Sequence, residues 1–194
     1  MRTWAASPAC SLLSSALLLG SGAAFADAEV QGRIHADRGT PAVVYAEDLP
    51  AQTAPESARA RMNQQHIRFV PQVLPVLQGT TVEFVNADEM AHNVFSPSPD
   101  DPFDLGSFGL GTRTHTFRVP GVHVILCNVH VEMVGWVLVL RTPTFAQVEP
   151  DGTFRLRLSR GKHHLVLWRP RQPELSREVD VPETGVVALE WAAP

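Results

Sequence analysis

The chain predicts an all-β protein whose strand spacing is that of small sandwiches. Three observations lead to that expectation. Runs of β-branched and aromatic residues recur along the chain with Gly, Pro or Asp at their ends. Sixteen prolines and thirteen glycines are scattered through 194 residues rather than clustered, which suits many short strands and turns. Beyond residue 26, no segment carries a convincing 3.6-residue apolar rhythm. An apolar content of 44% over this length allows one or two small domains.

Residues 1–26 read as an export signal. Arg2 supplies the positive start, Leu12 to Leu19 an apolar stretch, and Ala24-Phe25-Ala26 a small-x-small cleavage site before Asp27. The alternative is a retained membrane anchor, but the apolar stretch is too short to span a bilayer. Cys10 precedes that stretch and would be lost with it, so the exported chain would hold one cysteine, Cys127, and no internal disulfide. The expected location is the periplasm. An unpaired thiol in an oxidising compartment needs an occupant, and a metal ion is one.

Strands are expected at Val30 to Ile34, Ala42 to Tyr45, Ile67 to Val70, Val73 to Leu77, Thr81 to Val85, Thr114 to Val119, Val122 to Cys127 and Gly135 to Leu140. Three more follow at Thr153 to Leu158, His163 to Trp168 and Val186 to Trp191. The polar stretch Glu56 to Gln65 could be a short helix or a linker. Asp151-Gly152 marks a hairpin turn between alternating strands. The expected division is 27–55 as leading strands, 56–142 as one sandwich and 143–194 as a second. The leading strands either complete the second sandwich, making it discontinuous, or belong to the first.

Chemistry concentrates at Cys127-Asn-Val-His130-Val-Glu-Met133, a thiol, an imidazole and a thioether in C-x-x-H-x-x-M spacing. With His92 from a separate strand, these are the donors of a type 1 copper site. A Cys with two His and a weak Met suits one-electron copper chemistry, because sulfur donors favour Cu(I) and imidazole serves both oxidation states. Zinc competes for Cys and His but has little use for a thioether, so Met133 favours copper.

Residues from about Arg61 to Leu140 resemble a cupredoxin, close to plastocyanin and to amicyanin in the metal loop. The matching stretches are Gly79-Thr-Thr-Val-Glu-Phe-Val-Asn86, His92-Asn93-Val-Phe95 and Pro120-Gly-Val-His-Val-Ile-Leu-Cys127, followed by His130 and Met133. The resemblance implies a Greek-key β-sandwich holding one copper ion, and it implies that Asn93 supports the ligands by tying their two loops together. The chain departs from the family pattern at Asn128-Val129, where relatives often place a Pro before the His. Val30 to Tyr45 and the tail from Ala146 to Pro170 resemble a carboxypeptidase regulatory-like sandwich. The two-part layout is similar to periplasmic proteins grouped with methylamine utilisation.

The function expected from these residues is electron carriage between redox proteins, with no enzymatic turnover. Copper storage or delivery, or a non-redox binding module, is the alternative. A formal net charge of −4 argues against nucleic acid as a partner. His123 is four residues along its strand from Cys127, more than about 10 Å away, and is expected to be structural. His35, His66 and His115 have no companion at ligand spacing. The adjacent pair His163 and His164 should face opposite sides of a strand. Glu89 and Glu132 are expected to be solvated. Asp100, Asp101 and Asp104 form an acidic loop, either solvated or guiding a cationic partner.

Overall fold

The computed structural model describes residues 28–35 and 39–192, so the export segment and Cys10 lie outside the described residues. The described residues form sixteen strands and no helix, as the composition leads one to expect. In chain order these are β1 (Ala28–His35), β2 (Val43–Ala46), β3 (Arg59–Gln64), β4 (Phe69–Val70), β5 (Val73–Leu77), β6 (Thr81–Asn86), β7 (His92–Ser96) and β8 (Phe103–Phe108). They continue as β9 (Gly111–Thr116), β10 (Gly121–Leu126), β11 (Val134–Leu140), β12 (Phe145–Gln147), β13 (Thr153–Leu158), β14 (Gly161–Trp168), β15 (Leu175–Val181) and β16 (Val186–Ala192). No described helix is long and apolar enough to cross a membrane.

Four sheets result, in the orders β13-β1-β16, β12-β2-β14-β15, β5-β11-β10-β7-β8 and β4-β3-β6-β9. The leading strands hydrogen-bond to the tail: β1 lies between β13 and β16, with Val30 opposite Leu156 and Val187, and β2 lies between β12 and β14. The chain leaves these two sheets after Ala46 and re-enters them at Phe145. The outgoing and returning segments are tied side by side, Gln52 N–H donating to Arg141 O at 2.7 Å and the buried Thr142 hydroxyl to Ala46 O at 2.7 Å.

Three apolar clusters hold the sheets face to face. Val30, Val44, Phe154, Leu156, Leu165, Leu167 and Trp191 fill the space between the first two sheets. Met62, Phe84, Val94, Phe117, Ile125 and Val137 fill the space between the last two. The third cluster joins Val43 and Trp168 of the second sheet to Val73, Trp136, Leu138 and Leu140 of the third. Strand β11 therefore buries both faces, Val137 and Val139 one way and Trp136, Leu138 and Leu140 the other. That explains its unbroken apolar sequence, since strands covered on both sides need no polar alternation. Gly32 on β1 is required by packing: a Cβ there would collide with the Phe154 ring.

Several elements differ from expectation. The stretch Glu56 to Gln65 is neither helix nor linker but carries β3, which pairs in parallel with β6 from Arg59–Thr81 to Gln64–Asn86. Met62 and Gln64 are fully buried there while Arg59 and Arg61 face solvent, a period-2 pattern disguised by the polar Gln64. The strand expected at Thr114 to Val119 runs instead from Gly111 to Thr116. Strands β7, β8, β12 and β15 are additional. The acidic loop is partly strand β8, and two of its three aspartates face protein groups: Asp101 accepts from His115 Nε2 at 3.0 Å, and Asp104 from Asn93 Nδ2 at 2.7 Å.

Candidate metal centre

Strand pairing brings the expected ligands to one end of the third sheet. His92 opens β7, and Cys127 follows directly on β10; the antiparallel pairing of Leu126 with Phe95 carries Cys127 to the level of Val94, one residue from Asn93. Residues 127–133 then link β10 to its antiparallel neighbour β11, where Leu126 faces Val134. Within that link Met133 N–H donates to His130 O at 3.0 Å, a tight turn that points His130 back toward β7.

One ligating atom each from His92, Cys127 and His130 lies within 4.8 Å of the others. The Nδ1 atoms of the two imidazoles are 3.1 Å apart, with the rings edge to face. His92 is fully buried, Cys127 nearly so, and His130 partly exposed. Met133 is buried in the same apolar cluster as Cys127. Asn93 contributes through its backbone, its N–H donating to Cys127 Sγ at 3.4 Å. Its side-chain amide turns away from the 127–133 loop to Asp104 on β8. The hydrogen bond between the two ligand-bearing segments is thus made by the main chain of Asn93.

Behind His92 lies a residue that sequence reading misses. Asp88 Oδ2 accepts from His92 Nε2 at 2.8 Å. With Nε2 carrying the proton, the neutral ring presents an unprotonated Nδ1 toward His130 and Cys127, the form a metal requires. Burial alone would raise the Asp88 pKa, but N–H donors from Ile67 and His66 and the His92 ring hold it below the ordinary carboxylate range. Asn86 braces the same loop, its Nδ2 donating to Met90 O and Phe108 O, both at 2.9 Å, and its Oδ1 accepting from Asp88 N–H. The only sequence signal is a carboxylate four residues before a candidate ligand. In a loop that spacing has no fixed geometry, so it says little.

The donor set suits copper: two imidazole nitrogens and a thiol converge, with His92 and Cys127 buried, His130 partly exposed and a thioether in the same turn. The other histidines take up no place there. His123 is buried and bonded to Val119 O at 2.8 Å, His115 stacks on Phe103, and His163 bonds Asp48 on the far sandwich.

No protein-family model matches the chain, and no curated protein matches it. Part of the chain is similar in structure to cupredoxins. A purple cupredoxin from Nitrosopumilus maritimus aligns at 26% identity over 41% of this chain and 98% of its own, with a TM-score of 0.38. The reduced W45Y mutant of amicyanin aligns at 22% identity over 50% of this chain and 97% of its own, at 0.40. A Cu-containing nitrite reductase (NirK) from Thermus scotoductus SA-01 aligns at 25% over 57% of this chain and 28% of its own, at 0.42. These overlaps are partial, and the functional reading rests on the donors and distances of the site itself.

Proposed function

We propose that this chain is an exported type 1 copper protein that carries single electrons between partner proteins. The convergence of His92, Cys127 and His130 supports this most directly. Copper held there would supply a Cu(II)/Cu(I) couple accepting or releasing one electron. His92 and His130 would hold it through Nδ1 and Cys127 as thiolate, and Met133 would add a weak thioether donor that tunes the potential. The Asn93 N–H directed at Cys127 sulfur stabilises its negative charge. Four donors leave no open position for a substrate, which favours a carrier over an enzyme. The accompanying domain division assigns 56–142 to metal binding and the leading strands with 143–194 to an accessory sandwich.

The surface supports the same reading. His130 is flanked by the exposed side chains of Val129 and Val131, the latter 85% exposed. Met90, two residues before His92, and Leu110, beside the Gly111 that pairs with Asn86, are exposed at the same end. An apolar rim around a partly exposed ligand lets a partner approach closely without stripping water from charges. His130 is the proposed port for the electron.

The test is the visible spectrum of the full chain loaded with Cu(II). An intense blue or green band that bleaches reversibly on reduction, and that Cys127→Ser removes, is expected. A colourless complex, or a colour that survives Cys127→Ser, would sink the electron-carrier reading and favour copper storage or delivery.

A further inference from the structure

The turn between β3 and β4 is unusual for its sequence. Gln65 and Arg68 exchange both backbone hydrogen bonds, at 2.9 and 3.2 Å, leaving His66 and Ile67 as the two central residues of a tight hairpin. Both have positive φ, 55° and 58°. Such turns normally carry Asn-Gly or a similar pair, because side chains disfavour this conformation and a β-branched residue does so most. Strain of this kind persists where surrounding groups hold it in place. Here the holder is visible: His66 N–H donates to Asp88 Oδ1 at 2.8 Å, and Ile67 N–H to Asp88 Oδ2 at 3.0 Å. The same Oδ2 accepts from His92 Nε2 at 2.8 Å. The carboxylate of Asp88 is therefore shared between a strained turn on a neighbouring strand pair and the rear of a ligand.

We propose that Asp88 and the His66-Ile67 turn form a rear support that positions His92, fixing its tautomer and the direction of Nδ1 before any metal arrives. This rests on the copper reading of the site and adds to it a residue and a turn outside the ligand loop. The turn anchors the carboxylate with two main-chain donors. The carboxylate in turn keeps the proton on Nε2, with the ring in one orientation. In this account, strain in the turn is tolerated because relaxing it would withdraw both N–H groups from Asp88. Asp88 and the turn are positioning elements and touch no reacting atom.

Three measurements on the full chain test this, two without copper and one with it. In the copper-free wild type, nitrogen NMR of the imidazole should show His92 as a single Nε2–H tautomer, and the His66 and Ile67 amides should exchange slowly. In Asp88→Ala the tautomers should mix and both amides should exchange at least about tenfold faster, and Cu(II) affinity should fall about 10–100-fold, the usual cost of losing a group that orients a ligand. Asp88→Asn keeps an acceptor oxygen without the charge and should recover much of the tautomer preference. Mixed tautomers in the wild type, or unchanged amide exchange and affinity in a folded Asp88→Ala, would overturn the proposal. If Asp88→Ala does not fold, Asp88→Asn decides: with one acceptor oxygen replaced by an amide, at least one of the His66 and Ile67 amides should exchange faster than in the wild type, and unchanged exchange at both would equally overturn the proposal. A wild type that binds copper without intense colour defeats the electron-carrier reading alone, because the copper-free tautomer and exchange results stand or fall independently of colour.

Discussion

The two sandwiches differ most in what they bury. Between the first two sheets lie Val30, Val44, Leu156, Leu165, Leu167, Val179, Leu189 and their neighbours, an apolar filling whose strands alternate cleanly with outward Arg155 and Arg157. The half that carries the candidate metal ligands instead buries Gln64, Asn86, His92, Asn93, Ser96 and His123 among its apolar residues. Each of these six makes a hydrogen bond, for instance Gln64 Nε2 to Asn93 O at 3.2 Å and Ser96 Oγ to Ser98 Oγ at 2.9 Å. The first half buries fewer polar side chains, His163 and Arg169 on the tail among them. Hydrogen bonds among buried polar groups specify the positions of the side chains that make them. The contrast places the functional demand on the half that departs from simple patterning.

That contrast can be broken most severely by isolating the tail. Strand β1 is the middle strand of its sheet and β2 is interior to the next. Residues 143–194 alone therefore lack the strands that join β13 to β16 and β12 to β14, leaving unpaired edges and an open core. The fragment is expected not to fold; a dispersed NMR spectrum with cooperative unfolding would show that the tail is independent of the leading strands. A smaller effect should come from Leu167→Ala in the apolar core, where loss of a fully buried side chain costs about 2–5 kcal/mol. Denaturant titration should register that cost. The copper spectrum of the folded variant should match the wild type, since the side chain lies in the other sandwich.

Met133→Leu probes the metal half with little change in volume. A stability loss under about 1.5 kcal/mol is expected, copper is retained, and the reduction potential rises because Cu(II), which gains more from a weak fourth ligand than Cu(I) does, loses that ligand. An unchanged potential in protein film voltammetry would mean that Met133 does not bind the metal. The smallest effect concerns Asp48 on the tail side. Burial would raise its pKa, but hydrogen bonds from His164 N–H and the His163 ring lower it below the ordinary value. A carboxylate with a depressed folded pKa stabilises the protein above its unfolded pKa of about 4 and loses that contribution as pH falls through the lower folded value. Wild-type stability should thus fall more steeply than that of Asp48→Asn below about pH 4, as read by denaturation midpoints across the acid range.

Much of this was legible in the chain alone. Alternation of apolar and polar residues at Thr153 to Leu158 and Thr81 to Val85 marks strands, because a half-buried strand has one dry and one wet face. Three candidate donors within seven residues at Cys127, His130 and Met133 mark a candidate site, and the fold brings two of them, Cys127 and His130, together with His92. These are local signals, and local geometry suffices to read them. Strand β3 escapes the same reading because polar Gln64 occupies a core position and its partner β6 comes later in the chain.

What only the tertiary structure decided is every relation between distant segments. Nothing local in Val30 to Tyr45 says which sheets it joins; that follows from where Leu156, Val187 and Leu167 offer matching edges. The unbroken run Trp136 to Leu140 is equally suited to a strand with one lipid-like face or two, until Trp168 and Val43 cover its outer side. Asp88 sits four residues from His92 in a loop, and its role depends on two amides supplied by a turn more than twenty residues earlier. Sequence determines which side chains are available and which face of a strand each occupies, since those follow from residue type and a period of two. Which groups meet is set by packing between sheets, where hydrogen-bond partners and buried surfaces are chosen by the whole fold at once.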